Sequence, residues 1–248
     1  MSSAGEIVLR LQEIHFAYQK ASPVFTGLNL QVRRGERLGI IGPNGAGKST
    51  LLLLLNGLLK PEKGRVEVLG EAISPESEMK VRQTVGLVFQ NPEDQLFCPT
   101  VFDDVAFGPL NFGLSKEQVT ARVRQALNEV GLSHFEERST FNLSFGEKKL
   151  VALATALSVQ PEIVALDEPT SNLDAIHRRK IMRWVSQNGR TCLITSHDLD
   201  MIYDTCQRTI ILNHGQIVAD GPSEQILKNE ELLKANDLEL PLRFQPIK

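Results

Sequence analysis

A glycine-rich stretch early in the chain, GPNGAGKST, combines bare backbone with one lysine and two hydroxyl side chains. Gly42, Gly47, Lys48 and Ser49 give it the spacing G-x-x-x-x-G-K-S. Glycines let backbone N–H groups approach phosphate oxygens, and the N-terminus of a following helix adds a partial positive charge. The lysine suits the β- and γ-phosphates, and the serine hydroxyl suits Mg²⁺. The motif therefore predicts a loop that binds ATP phosphates. Its predicted nucleotide-contacting residues are Gly42, Pro43, Asn44, Gly45, Ala46, Gly47, Lys48, Ser49 and Thr50.

Two acids and a histidine follow apolar segments further along the chain. In IVALDEP, Asp167 ends a predicted buried strand beside the loop, where a carboxylate can hold Mg²⁺ through water. Glu168 comes next and is suited to orient or deprotonate an attacking water. His197, in LITSHD, ends the following strand at the same sheet edge and can reach the γ-phosphate. We predict that Lys48, Glu168 and His197 are catalytic; the simpler alternative is two acids and a polar residue that merely end strands.

The elements needed to position these residues can be read from the apolar pattern. Segments such as RLGIIG, TVGLVFQ, EIVALDE and TCLITSH are short and apolar, and the third and fourth are separated by a predicted helix, DAIHRRKIMRWVSQNG. Such strands indicate a buried, largely parallel sheet. TVGLVFQ is predicted to end at Gln90, and the chain from Asn91 to about Gln160 has helical spacing. The sequence therefore predicts an α/β fold with a helical insertion.

Composition excludes several classes of protein. The 248 residues are 42% hydrophobic and 23% charged, as in ordinary globular proteins, and the formal net charge of −3 offers no basic field for nucleic acid. Three scattered cysteines without C-x-x-C spacing are expected to be reduced thiols. No segment reaches the ~18 apolar residues of a membrane span. We expect any membrane role to depend on a partner.

Taken together, the motifs resemble those of the ATP-binding cassette of ABC transporters over nearly the whole chain. In the order of that family, they are Tyr18, the Walker A loop Gly42 to Thr50, Gln90, the signature LSFGE from Leu143 to Glu147, Asp167 with Glu168, SNLD ending at Asp174, and His197. The resemblance implies that Tyr18 stacks on adenine and that Gln90 joins Ser49 and Asp167 around Mg²⁺. It also implies that Ser144 and Gly146 contact the nucleotide of a second ABC subunit, so ATP binding would close a homodimer or heterodimer.

The family resemblance also implies an organisation into subdomains. We expect a single P-loop ABC ATPase domain over residues 1–248, with a RecA-like parallel-sheet core and an antiparallel β subdomain. The predicted core, including the β subdomain, is 1–90 with 161–220, the helical signature subdomain is 91–160, and 221–248 is a short helical tail.

The segment VFQNPEDQLFCPTVFDDVAFGPLNFGLS is similar to ATPases of energy-coupling-factor importers, particularly those for cobalt and nickel. This resemblance implies a peripheral subunit at the cytoplasmic face of the membrane. A transmembrane coupling subunit is expected to dock near Gln90, with Glu93 and Asp94 meeting its arginines. Alternatives are the ATPase of a vitamin importer such as one for biotin, a soluble ABC-type ATPase, or a regulatory subunit that binds ATP without hydrolysing it.

Three positions depart from the family pattern. Phe145 stands where the signature usually has glycine, Leu150 occupies a position that is often basic, and Ala175 follows the D-loop where proline is common. These departures concern the part of the site that the resemblance assigns to the nucleotide of the second ABC subunit, which contains the signature motif. A heterodimer with one weaker site is therefore a second possible assembly.

Overall fold

A computed structural model describes residues 5–19 and 22–246 and contains two β-sheets. The strands of these residues are β1 Ile7–Gln19, β2 Ser22–Arg33, β3 Arg37–Ile41, β4 Lys63–Val68, β5 Glu71–Ala72, β6 Val85–Val88, β7 Ile163–Asp167, β8 Thr191–Thr195, β9 Arg208–Asn213 and β10 Gln216–Pro222. One sheet is antiparallel, in the order β2-β1-β4-β5. The other has the order β10-β9-β3-β8-β7-β6 and is parallel except for the β9–β10 pair.

The helices of the described ranges are α1 Lys48–Leu55, α2 Glu78–Thr84, α3 Val101–Asn111, α4 Lys116–Glu129, α5 Phe145–Leu157, α6 Ala175–Gln187, α7 Leu199–Thr205, α8 Ser223–Leu227 and α9 Glu230–Lys234. Helices α3, α4 and α5 lie between β6 and β7 and pack against one another. Among the described residues, no helix has both the length and the apolar content that crossing a membrane requires.

The central sheet buries both of its faces, as parallel sheets do. Adjacent residues of a strand therefore enter different cores: Ile40 packs with the antiparallel sheet and α1, whereas Ile41 packs with the helices on the opposite face. The strands β7 and β8 are buried at every position. Their carboxyl ends, which carry the predicted chemistry, are thus fixed from both sides.

The predicted fold class is confirmed, since a mostly parallel sheet, an antiparallel sheet and a helical region are all present. The proposed subdomain limits remain a prediction. One predicted limit was wrong: β6 ends at Val88 rather than Gln90. The Phe89 N–H donates to Oε1 of Gln95 at 3.1 Å, and a 3-10 turn at Pro92–Asp94 follows. Sequence patterning also missed the short elements α2, α7, β4 and β5.

Candidate active site

The glycine-rich loop joins β3 to α1 and is packed so tightly that two of its glycines are required. Gly42 has a φ of +153°, and a Cβ there would lie 2.0 Å from the carbonyl oxygen of Leu212. Gly47 precedes α1 with a φ of +101°, and a Cβ there would lie 2.8 Å from the ring of Phe25. Both φ values lie in a range that favours glycine. The loop therefore presents backbone rather than side chains at the N-terminus of α1, as an anion site requires.

The side-chain amine of Lys48 is hydrogen-bonded to the glycine-rich loop. Its Nζ donates to the carbonyl oxygens of Gly42 at 2.8 Å and Pro43 at 3.1 Å. The side chain is buried, and this burial lowers the pKa of Lys48, although the carboxylates of Glu168 and Asp167 oppose the change. The amine also lies 3.3 Å from Nε2 of His197. A poorly hydrated amine held in this way is suited to a phosphate group.

The predicted acids lie at the end of β7, next to the end of β8. Oδ1 of Asp167 accepts a hydrogen bond from Oγ1 of Thr195 at 2.6 Å. The Glu168 N–H donates to the same Thr195 side chain at 3.0 Å and to its carbonyl oxygen at 3.2 Å. Thr195 thus fixes both acids, and sequence reasoning missed it, although it lies two residues before His197.

The Glu168 carboxylate is buried and only partly hydrogen-bonded. Its Oε2 accepts the backbone N–H of His197 at 3.2 Å, whereas the buried Oε1 has no hydrogen-bond partner in the described structure. The Nε2 atom of His197 lies 3.6 Å from that oxygen. Burial raises the pKa of Glu168, and the His197 N–H together with the charges of His197 and Lys48 opposes the rise. An orphaned carboxylate oxygen with a raised pKa is suited to accept a proton from a water molecule.

A cavity of about 410 Å³ brings most predicted site residues together. Its lining residues are Tyr18, Val24, Asn44, Gly45, Ala46, Gly47, Lys48, Ser49, Thr50, Gln90, Asp167, Glu168 and His197. Gly42 and Pro43 contribute through their contacts with Lys48. At the rim, the ring of Tyr18 is 60% exposed, packs edge-on against Phe16, and has its hydroxyl 3.2 Å from Oγ1 of Thr50.

A second cavity, of about 220 Å³, shares Ser49, Gln90 and Asp167 with the first. A hydroxyl, an amide and a carboxylate are oxygen donors, which Mg²⁺ prefers, and this ion usually keeps several waters and substrate phosphates as ligands. No group of three or more His, Cys, Asp or Glu residues suited to a metal occurs within 5–19 and 22–246. The donor set thus fits Mg²⁺ bound together with a phosphate ligand rather than a protein-only metal cage.

The signature residues Ser144 and Gly146 do not line this cavity. Ser144 is exposed at the N-cap of α5, where its hydroxyl and the Glu147 side chain form a capping box. Gly146 is buried against His177, whose ring would lie 2.5 Å from a Cβ at that glycine. His177 Nδ1 lies 2.6 Å from Asp174 Oδ2, within the segment that contains the D-loop. The N-terminus of α5 therefore lies outside the cavity lined by the chain's own glycine-rich loop.

The predicted docking acids lie beside the second cavity. Glu93 forms a salt bridge with Lys148 of α5 at 2.6 Å, so its charge already has a partner within the chain. Asp94 lines the cavity, and Nδ2 of Asn91 lies 3.4 Å from its Oδ1. Nearby in the sequence, Phe97 is 62% exposed and its ring packs edge-on against Phe107. The region after β6 thus exposes both acidic and apolar side chains.

Comparisons with known proteins agree on one family. A sequence profile of the ABC transporter family matches residues 25–171. A putative ABC transporter ATP-binding protein of Gloeobacter violaceus is 51% identical over 236 residues, which cover 94% of this chain and 97% of that protein. The energy-coupling factor transporter ATP-binding protein EcfA of Methanothermobacter thermautotrophicus is 46% identical over 239 residues, covering 94% of this chain and 77% of that protein.

Solved structures give the same result. The chain superposes with a TM-score of 0.82 and 35% identity on cbiO1 from Clostridium perfringens, which is part of the ABC transporter complex cbiONQ; coverage is 95% of this chain and 96% of that one. A dimeric ATP-binding cassette, MJ0796, in a post-hydrolysis state bound to ADP and Pi, gives a TM-score of 0.79 at 26% identity, with coverage of 87% and 98%.

Proposed function

The chain belongs to the ABC transporter family as an ATP-binding subunit with ATPase activity, and on this premise we propose that it drives an importer of the energy-coupling-factor type. Its similarity to EcfA and to a subunit of cbiONQ supports this proposal. We further propose cobalt or nickel as cargo, on the basis of the sequence after Gln90. In this proposal the subunit lies at the cytoplasmic face of the membrane and acts through a transmembrane partner.

The observation that carries the proposed chemistry is the convergence of Lys48, Glu168 and His197 at one cavity. Nε2 of His197 lies 3.3 Å from Nζ of Lys48 and 3.6 Å from Oε1 of Glu168. In our proposal Lys48 and the loop N–H groups bind the phosphates, and Tyr18 stacks on adenine. His197 contacts the γ-phosphate, while Oε1 of Glu168 accepts a proton from the attacking water.

Three further residues suit the metal ion that accompanies the nucleotide. We assign Ser49, Gln90 and Asp167 to Mg²⁺, which would neutralise negative charge on the transferred phosphoryl group when bound. Thr195 holds the carboxylate of Asp167 in place through its 2.6 Å hydrogen bond. Gln90 lines the second cavity together with Asp94 of the proposed docking acids, which supports a role in relating nucleotide state to the partner.

The second half of each site is proposed to come from another ABC subunit. Ser144 and Gly146 begin α5 outside the chain's own cavity, which fits a role in binding the neighbour's nucleotide. Phe145, between them, is half-buried and adds a ring where glycine is usual in the family. A homodimer and a heterodimer both accommodate this arrangement.

Docking can be tested by charge reversal. Glu93→Lys with Asp94→Lys should weaken assembly with a transmembrane subunit whose arginines face these acids, because like charges would meet in a partly desolvated groove. The control reverses Glu230 and Glu231, two adjacent acids of α9. Co-purification from detergent measures assembly, and ATP binding by the free subunit should be retained. Normal assembly of the Glu93/Asp94 variant would refute this docking surface.

Cargo requires a transport measurement. Cells with and without the chain should differ in uptake of labelled cobalt or nickel and should not differ in uptake of biotin. Chain-dependent uptake of biotin alone would overturn the cargo proposal and favour a vitamin importer. ATPase activity without any effect on uptake would favour the alternative of a soluble ABC-type ATPase.

A further inference from the structure

Helix α5 buries a lysine. Lys149 is 1% exposed, although lysines are rarely fully buried unless they have a charged partner. Its Nζ donates to the backbone carbonyl oxygen of Glu168 at 3.0 Å rather than to a carboxylate. The carboxylates of Asp167 and Glu168 are nevertheless near enough to favour its charged form. A charged amine is thus directed at the backbone of the proposed catalytic base.

The peptide that accepts this bond has an unusual conformation. Glu168 has a φ of +46°, in the left-handed region, which disfavours residues other than glycine. Its carbonyl oxygen also accepts the hydroxyl of Ser171 at 2.9 Å, and its N–H donates to Thr195. Backbone contacts on both sides therefore hold Glu168 in this conformation.

The direction of the Glu168 carboxylate depends on this backbone geometry. With φ at +46°, the side chain leaves β7 so that Oε2 meets the N–H of His197 and Oε1 lies 3.6 Å from Nε2 of His197. Lys149 does not line the cavity. Its hydrogen bond to the site is the one to the carbonyl oxygen of Glu168, so Glu168 is the residue through which Lys149 contacts the site directly.

Stability alone does not explain a lysine at this position. Burial lowers the pKa of Lys149 to about 8, which means that the folded protein disfavours the charge. The neighbouring residues Leu150 and Val151 are buried and apolar, so an apolar side chain suits this part of α5. Replacing a buried charge by an apolar residue of similar volume is often neutral or stabilising.

We propose that Lys149 is a positioning residue that holds Glu168 in its left-handed conformation and thereby aims the carboxylate at the attacking water. The inference rests on the proposed role of Glu168 as the base. It also gives α5 two tasks: its first turn, at Ser144, serves the neighbouring nucleotide, and Lys149 supports the chain's own catalytic acid.

The test compares Lys149→Met, Lys149→Gln and a surface control, Lys116→Met, in the full chain assayed alone and in its membrane complex. Lys116 is exposed at the start of α4. We expect Lys149→Met to lower kcat about 10-fold while the Kd for ATP changes less than about 2-fold, since only the base is displaced. Lys149→Gln keeps a donor and should retain more activity than Lys149→Met. Lys116→Met should match the parent.

Glu168→Gln is measured in parallel to separate this inference from the assignment of the base. An unchanged kcat in Lys149→Met, beside an inactive Glu168→Gln, would overturn the role of Lys149 and leave Glu168 as the base. The proposal would also be overturned if Lys149→Met lost ATP affinity by as large a factor as it lost kcat and was also less thermally stable. That pattern would mean that the substitution had only disturbed the packing of the protein. Full activity of Glu168→Gln would refute the base itself, and the Lys149 inference with it.

Discussion

Replacing Lys149 by methionine should stabilise the folded chain at neutral pH. The pKa of Lys149 falls from 10.5 to about 8 on folding, which corresponds to about 3 kcal/mol against the charged form. Methionine removes this penalty and fills a similar volume, but it loses the hydrogen bond to the Glu168 carbonyl, worth about 1 kcal/mol. The net expectation at pH 7 is a variant more stable than the parent by about 2 kcal/mol.

The stability difference between Lys149→Met and the parent should depend on pH, in a direction that follows from the lowered pKa of Lys149. Between the folded pKa of about 8 and the unfolded value of 10.5, the unfolded chain binds more protons at Lys149 than the folded chain. The penalty on the parent is therefore fully present below about pH 8 and disappears as the pH rises towards 10.5. The advantage of Lys149→Met should shrink over that window and reverse above about pH 10, where the lost hydrogen bond outweighs what remains of the penalty.

Urea unfolding followed by tryptophan fluorescence measures this directly, since Trp184 is the only tryptophan of the chain. The difference between variant and parent, taken at each pH, removes the contribution of other titrating groups. A variant less stable than the parent at pH 7, or a difference independent of pH between 7 and 10, would refute the argument that burial disfavours the Lys149 charge.

Two other predictions concern the scaffold. Gly42→Ala should destabilise the fold by about 3 kcal/mol, because its Cβ would lie 2.0 Å from the carbonyl oxygen of Leu212. Urea unfolding measures this loss, and parental stability would mean that the loop relaxes freely. Glu129→Ala removes both the acceptor of the Trp184 Nε1–H bond at 2.9 Å and the carboxylate partner of Arg190, and it should cost about 2 kcal/mol with a shift in Trp184 emission. Unchanged emission and stability would show that these two contacts of Glu129 contribute nothing.

The loop and the strand ends could be predicted because their signals are local. A phosphate loop is defined by residue types at fixed spacing, and Gly42 and Gly47 are indeed glycines for steric reasons. Asp167 and His197 could be placed together because parallel strands carry their carboxyl ends to one edge. The fold class and the ABC family resemblance were confirmed because they too rest on local signals, namely short apolar strands and motifs of fixed spacing.

Other features depend on contacts that no local pattern contains. The sequence gives no sign that Lys149, rather than its neighbour Lys148, points into the protein, because the two differ only in their position around α5. The end of β6 was misplaced because the Gln95 side chain, six residues later, takes the Phe89 N–H. The salt bridge between Glu93 and Lys148 joins residues 55 positions apart and was equally invisible.

Glu168 is proposed to activate the water that attacks ATP, and single-turnover hydrolysis by Glu168→Gln measures that role without interference from product release. We expect this variant to bind ATP with parental affinity and to hydrolyse it at least about 100-fold more slowly, because an amide cannot accept the proton. Hydrolysis of bound ATP at the parental rate would contradict the assignment of Glu168 as the general base.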